Sequence, residues 1–324
     1  MSGGPAARIV AQAKLNLHLR VLAREPSGFH GIQTIFHRID LGDDILIRAT
    51  DGRRSIDVEG SDTGPREANL AFRAAAAYAD RSGWPLGFDI ELTKRIPVGS
   101  GMGGGSADAA AVLRALDSLA PNPMGAHILA GIAGALGSDV PFLAGNAVMA
   151  LGTGRGERLV ALPALPRRDI LLMTPGFSVA TAEAYSWLDD DRTEADTLLA
   201  RDFDVSALGS MQALYRSGLP PVAADHFETA FAVENPQLQS WEKLATWASN
   251  DFEPVIVARH PELGEMLSRL RHSRAIFSGM TGSGSTIFGI LDGPADFAKV
   301  PAEHRHRARS TMSAIDVVQP IRIE

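Results

Sequence analysis

The sequence predicts an α+β protein of two domains, divided near residue 165. Three observations lead there. The chain has 324 residues, more than one hydrophobic core usually holds. Segments alternating apolar and polar with period two, the mark of half-buried strands, are interspersed with segments of helical period along the whole length. Pro163 and Pro166 fall between one such set and a fresh apolar run, Asp169 to Pro175. The division gives residues 1–165 and 166–324.

In order, Leu15, Leu17, Leu19 and Val21 alternate with Lys14, Asn16, His18 and Arg20, so residues 8–22 read as a strand. Its polar face is either wet or lines a polar site. Arg24-Glu25-Pro26-Ser27-Gly28 is a turn, followed by Phe29-His30, which either packs or stacks on a base. Residues 32–50 read as two strands around the turn signal Leu41-Gly42-Asp43-Asp44, and 56–59 as a short strand. Leu70 to Asp80 is an Ala-rich helix with Asn69 as its N-cap. Phe88, Ile90 and Leu92 mark a strand, and Ala109, Val112, Leu113, Leu116 and Leu119 a helix capped by Ser106. A further helix, about 124–136, leads to Asp139. Pro141 is expected to keep Val140 extended. That puts Asp139 at a helix-to-strand junction, as a turn former or a catalytic group. Ala147–Ala150 is a strand and Gly152 to Glu157 a glycine-rich turn. In the second half, Asp169–Pro175 starts a strand and Thr181 caps a helix, while 192–225 is irregular. Asn250-Asp251-Phe252-Glu253 opens a helix and Pro261 to Leu270 forms another. Arg274–Phe277 is a strand, Ser278 to Ser285 a second glycine loop, and Thr286–Leu291 a strand.

Bulk properties exclude several classes. The net charge is −7, whereas a nucleic-acid binder wants a basic face. The basic run Glu303 to Arg309 is short and reads as a solvated charged face. With no cysteine, disulfides, thiolate catalysis and cysteine zinc sites are excluded. Met1 to Pro5 has no apolar stretch, and Lys14, Asn16 and His18 interrupt the run after it, so no signal peptide is expected. His127 to Leu151 is apolar but carries Asp139, Pro141 and Asn146, so it reads as buried helix, loop and strand. A cytoplasmic protein without nucleic-acid or membrane partners is expected.

The strand at 88–92 and the helix from 106 are joined by Pro97-Val98-Gly99-Ser100-Gly101-Met102-Gly103-Gly104-Gly105. Glycines permit positive φ and let a backbone approach a ligand closely. A glycine loop feeding a helix N-terminus aims unpaired N–H groups and the positive end of the helix dipole at one spot, which suits phosphate. The bland alternative is a flexible or tightly packed turn. Gly105 is followed by Ser106-Ala107, not Lys-Ser/Thr, so this is no Walker A loop. Gly99, Gly101 and Gly104 formally satisfy G-x-G-x-x-G, but no ribose-binding acid ends a second strand, so a dinucleotide fold is a poor fit. The partner motifs of protein kinases are missing.

The remaining pattern, P-x-G-x-G-x-G-G-G-S-A-D-A-A, resembles the central motif of the GHMP kinase superfamily, small-molecule kinases whose loop wraps the phosphates of ATP. Ala13-Lys14-Leu15-Asn16-Leu17 and Met280-Thr281-Gly282-Ser283-Gly284 look like its first and third motifs, so the resemblance spans almost the whole chain. It implies a two-domain fold with mixed and antiparallel sheets, helices, and an active site in the cleft between domains. The N-terminal domain would bind ATP and the C-terminal domain substrate. P-S-G-F-H-x-I-x-T-x-F from Pro26, L-G-S-D-V-P-F from Leu136, and Asn250 to Glu253 are similar to the branch acting on 4-diphosphocytidyl-2-C-methyl-D-erythritol in the non-mevalonate isoprenoid route.

The resemblance implies roles. Asp139 is the general base and Lys14 its electrostatic partner, so the Lys14/Asn16 face lines the site. Phe29 and His30 hold the cytidine ring, with Asn16 and Thr181 also on the substrate. Asn69 lies near adenine, Lys94 supplies a cation to phosphate, and Pro97, Gly99, Ser100, Gly101, Met102, Gly103, Gly104, Gly105 and Ser106 form the ATP loop. Ser106 is the candidate Mg²⁺ contact; no other metal ligand is implied. The cofactors are ATP and Mg²⁺, and the partner is the small substrate, acted on by a monomer or weak homodimer. Two positions depart from the usual pattern: Phe29 stands where Tyr is common, and Gly-Ser-Gly-Met where Ala-Gly-Leu is usual. The rivals are a kinase of homoserine, mevalonate or a sugar, which gives Phe29-His30 nothing to hold, and a non-catalytic nucleotide binder, which needs neither Lys14 nor Asp139.

Overall fold

The computed structural model describes residues 4–192, 238, 240–272, 275–293, 305–309 and 319–321. Seven strands make the first sheet: β1 (Ala6–Arg24), β2 (His30–Thr50), β3 (Arg54–Glu59), β4 (Gly87–Thr93), β5 (Met149–Thr153), β6 (Arg158–Leu162) and β11 (Gln319–Ile321). They run in the order β11-β1-β2-β4-β3, with β5 on β2 and β6 on β5. The β3–β4 pair is parallel and the other pairs are antiparallel. Helices α1 (Leu70–Ser82), α2 (Gly104–Leu119), α3 (Ala126–Leu136) and α4 (Val140–Ala144) accompany this sheet. A second, antiparallel sheet is built from β7 (Asp169–Met173), β8 (Ala275–Met280), β9 (Ile287–Leu291) and β10 (Arg305–Arg309), in the order β10-β7-β9-β8. With it go α5 (Thr181–Asp191), α6 (Trp241–Ala245), α7 (Phe252–Arg259) and α8 (Pro261–Arg271). The two sheets part across Pro163 and Pro166, while β11 returns to the first sheet beside β1.

Local chemistry explains these elements. The Asn69 carboxamide oxygen accepts from the N–H groups of Ala71 at 2.9 Å and Phe72 at 3.3 Å, capping α1 as expected. Gly83, at φ +73°, ends that helix in the left-handed conformation. Phe88, Ile90 and Leu92 of β4 are buried while Asp89 and Glu91 are not, so the alternation places one face on the core. Helix α2 buries Ala107, Ala109–Ala111, Val112, Leu113, Ala115 and Leu116. Each larger aliphatic side chain withdrawn in this way contributes about 1.5–3 kcal/mol. Helix α2 is therefore a rigid post at the end of the glycine loop.

The structure departs from the sequence-based expectation at several places, among them Arg158–Leu162 and Arg305–Arg309, which are strands. Residues 30–50 form one strand rather than two, because β1 runs alongside and pairs Ala11 with Asp43 and Gln12 with Gly42. A Cβ at Gly42 would lie 2.8 Å from the Ala11 carbonyl oxygen, so this glycine serves strand packing rather than a turn. Ser106 is not the cap of α2: the helix begins two residues earlier, with Gly103 as N-cap at φ +72°. Asp139 precedes the short helix α4 rather than a strand, and Pro141 sits in that helix's first turn, where its missing N–H costs nothing. Ala180, not Thr181, is the N-cap of α5. Residues Ser278–Met280 belong to β8, so the second glycine loop is confined to 281–286. Arg274 and, except for Arg192, the 192–225 segment lie outside the described residues.

Candidate active site

The three motifs interlock at the N-terminus of α2. Pairing with β2 puts Lys14 and Asn16 of β1 beneath the loop, in a stretch with irregular register. The Lys14 N–H donates to the Met102 carbonyl at 3.1 Å. Its ammonium donates to Gly101 O at 2.9 Å and to Asn16 Oδ1 at 2.5 Å. Asn16 N–H donates to Thr281 Oγ1 at 2.9 Å, and Asn16 Nδ2 to Thr34 Oγ1 at 2.7 Å. Thr286 N–H donates to Ser100 O at 3.3 Å. Asn250 Nδ2 donates to the carbonyls of Met280 and Gly282, at 2.7 and 2.9 Å, and shapes the third motif from below. Gly101 shows why the loop must be glycine. Its φ is +76°, and a Cβ would lie 2.3 Å from Thr281 O.

Asp139 arrives from the other side, at the junction of α3 and α4. Its Oδ2 is 3.2 Å from Lys14 Nζ; the lysine side chain is 4 % exposed and the aspartate 28 %. A Cβ at Gly103 would lie 3.0 Å from Lys14 Cε and 3.4 Å from Asp139 Oδ2, so the pair abuts the backbone at the helix N-terminus. The chemistry available is a carboxylate open to the cleft, held by an ammonium, beside an anion-binding helix end.

The cleft has a volume of about 1060 Å³. Of the residues singled out in the sequence, Lys14, Asn16, Phe29, His30, Asn69, Lys94, Pro97, Gly99, Ser100, Gly101, Gly103, Gly104, Gly105, Ser106, Asp139 and Thr181 line it. Met102 does not; its side chain is fully buried in the core. Thr181 Oγ1 is 3.0 Å from Ser283 Oγ, joining α5 to the third motif.

Lys94 is placed less simply than expected. Its ammonium lies between Asp43 and Asp108, 2.7 Å from the latter, with all three side chains at most 4 % exposed. Asp43 Oδ1 also accepts from the N–H groups of Arg95 and Ile96, at 2.5 and 2.8 Å. Burial alone would lower the Lys94 pKa, but the Asp108 and Asp43 carboxylates outweigh it and the pKa is raised. Burial, helped by Asp43, pushes Asp108 up against the pull of Lys94. The lysine charge is thus taken up by the protein. The cluster ties β2 and the loop entry to α2.

The side of the cleft at the 25–30 turn contains residues that sequence reasoning passed over. His30 Nδ1 is 3.0 Å from Leu22 O and its Nε2 is 3.2 Å from Asp189 Oδ2. Its ring stacks on Tyr185 at 5.1 Å and 15°. Burial, with Asp139 adding to it, raises the Tyr185 pKa to about 12, so the phenol stays protonated. Phe29 is 54 % exposed, and the Arg155 guanidinium covers its ring at 3.7 Å from the centroid. Tyr185 and Asp189 are one turn apart on α5, so helical spacing was the one available signal; nothing local marked Arg155 beyond its glycine-rich turn.

Known proteins share this fold and much of this sequence. The profile of the GHMP kinases N terminal domain matches residues 69–146, and that of the GHMP kinases C terminal matches 230–308. The chain is 37 % identical over 294 residues to a 4-diphosphocytidyl-2-C-methyl-D-erythritol kinase of Solibacter usitatus, covering 90 % of this chain and 83 % of that one. It is 35 % identical to the protein of the same name from Pelotomaculum thermopropionicum, covering 91 % and 93 %. A crystal structure of 4-(cytidine 5'-diphospho)-2C-methyl-D-erythritol kinase superposes with a TM-score of 0.66 at 32 % identity, over 94 % of this chain and 99 % of that one. Homoserine kinase from Cytophaga hutchinsonii superposes with a TM-score of 0.64 at 20 % identity, over 98 % and 97 %, which establishes a shared fold. With both profiles matched in order and relatives above 30 % identity across most of its length, the chain belongs to the GHMP kinase family.

Proposed function

We propose that this protein transfers the γ-phosphoryl group of ATP to the 2-hydroxyl of 4-diphosphocytidyl-2-C-methyl-D-erythritol. The observation that carries the reading is the meeting, in one cleft, of the Lys14–Asp139 pair, the glycine loop and the Phe29-His30 turn. Phosphoryl transfer asks for positioning and charge neutralisation. The loop and the α2 N-terminus hold the polyphosphate, with Asn69 near the adenine. Asp139 accepts the hydroxyl proton, and Lys14, 3.2 Å from it, steadies phosphoryl oxygens. Phe29 and His30 grip the cytosine, with Asn16 and Thr181 lining the path to the reacting hydroxyl.

Among the described residues no group of three or more His, Asp or Glu could hold a metal ion. Mg²⁺ leans on substrate phosphates and needs only one or two protein contacts. Ser106, lining the cleft in the first turn of α2, is the residue that would contact it. Bound Mg²⁺ supplies further neutralisation of phosphate charge. The described residues contain no helix long and apolar enough to cross a membrane.

ADP release measured against a panel of alcohols tests the assignment. The panel contains the cytidylyl substrate, homoserine, mevalonate and sugars. Turnover confined to the cytidylyl substrate is expected. Preference for any of the others would overturn the assignment.

A further inference from the structure

Four cations line the cleft: Lys14, Arg24, Lys94 and Arg155. Lys14 faces Asp139 at 3.2 Å, and Lys94 is shared by Asp43 and Asp108. Arg24 and Arg155 have no carboxylate partner among the described residues, and both contact the 25–30 turn, Arg24 from the end of β1 and Arg155 from the β5–β6 turn. Arg24 Nε donates to Gly28 O at 3.1 Å, and Arg155 lies over the ring of Phe29. The Ile32 N–H donates to Gly154 O at 2.7 Å and fastens the Arg155 turn to the start of β2. An arginine held over an aromatic ring by cation–π attraction spends no N–H group on a carboxylate, so donors directed away from the ring stay available for an anion. Guanidinium donors match phosphate oxygens two at a time.

We infer that Arg155, assisted by Arg24, binds the diphosphate of the acceptor substrate while its stem and face brace Phe29 against the base. This rests on the cytidylyl reading above and deepens it. The cleft then holds two anions at separate places. The nucleotide triphosphate lies on backbone N–H groups at α2. The acceptor's diphosphate lies on arginine side chains beside the 25–30 turn. A substrate lacking that diphosphate would leave these cations unmatched.

Calorimetric titration of the full chain with cytidine, CMP and CDP tests this, using wild type and Arg155→Met, which keeps an apolar stem over Phe29 and removes the charge. In wild type, affinity is expected to climb with each phosphate. In Arg155→Met the cytidine affinity should hold, while the gain from cytidine to CDP shrinks roughly tenfold or more, as expected for lost charge-assisted hydrogen bonds. The KM for ATP should not move, and unchanged thermal melting would show an intact fold. Equal weakening of cytidine and CDP would mean that Arg155 only braces Phe29, and would overturn the inference. Unchanged CDP binding would do the same. If wild type binds none of the three ligands yet phosphorylates another alcohol, the cytidylyl assignment itself falls, and this inference with it.

Discussion

Replacing Asp139 by Asn tests the centre of the mechanism with little collateral change. The carboxamide has the shape of the carboxylate but accepts no proton from the substrate hydroxyl. Lys14 would not be stranded, because its ammonium keeps Asn16 Oδ1 at 2.5 Å and Gly101 O at 2.9 Å. The fold should tolerate the change. Asp139 is 28 % exposed, so its ion pair is partly screened, and a stability loss within about 1 kcal/mol is expected. ATP binding should be unchanged or slightly tighter, since a negative charge beside the polyphosphate is removed. Turnover should fall by about 10²–10⁴, the range for loss of a positioned general base, equivalent to roughly 3–5 kcal/mol on the barrier. Coupled ADP release gives kcat, nucleotide titration gives ATP affinity, and melting gives stability. Wild-type turnover in a variant that binds ATP would refute the argument and leave Asp139 as the turn former its position also suits.

Three further changes probe other parts of the site and fold. His30→Ala should raise the KM for the cytidylyl substrate by about tenfold, with kcat and the KM for ATP little altered, because a base contact is worth about 1–3 kcal/mol; an unchanged KM would send the base elsewhere. Gly101→Ala forces a Cβ to 2.3 Å from Thr281 O at φ +76°, so ATP binding should collapse and thermal stability drop, whereas normal binding would show that the two glycine loops need not touch. His18 and His37 are pushed down to about 4, in both cases chiefly by burial, so between pH 6.5 and 4 the unfolded chain takes up protons that the folded one refuses. Their contribution is complete above the unfolded value and disappears as pH falls through that window, on the order of 3 kcal/mol per histidine. Burial raises Asp251 and Glu253, which gain protons first in the folded state and offset part of the loss. The clean readout is therefore the difference between wild type and His37→Gln in urea unfolding at pH 7 and pH 5, and identical pH slopes would remove His37 from the account.

The legible part of this protein was the part whose backbone had no alternative. Positive φ at Gly99, Gly101 and Gly103 and close contact between two glycine loops demand glycine, so the loop before α2 shows in the letters. The strand alternations at 88–92 and 14–21 and the Asn69 cap likewise act within a few residues and were readable. Gly42-Asp43-Asp44 has turn chemistry, but the glycine answers a neighbouring strand and Asp43 answers three backbone and side-chain donors from residues 94–96. Pro141 predicts a Val140 kept extended into a strand, but a helix's first turn accepts proline as readily as a strand edge does. Asp189 and Arg155 became site residues only when α5 and the β5–β6 turn met the 25–30 turn, a contact no local pattern encodes.

The charge distribution explains why the phosphate loop is built from glycine rather than from lysine. Lys14 is matched by Asp139, and Lys94 by Asp43 and Asp108, so neither adds net positive charge near the loop. Attraction for a polyphosphate must then come from unpaired N–H groups at residues 99–106 and from the α2 dipole, which act over a few ångströms and only if the backbone can come close. A Cβ at Gly101 or Gly103 would strike Thr281 O or the Lys14 side chain and shift the backbone that carries those donors. Lys94 serves the same end indirectly. By holding the entry of the loop to α2 through two carboxylates, it fixes the donors before nucleotide arrives, so ordering them does not have to be met from binding energy. Arg24 and Arg155, without a carboxylate partner among the described residues, are the cations that the inference above assigns to the acceptor's diphosphate, at an exposed turn that offers no helix end.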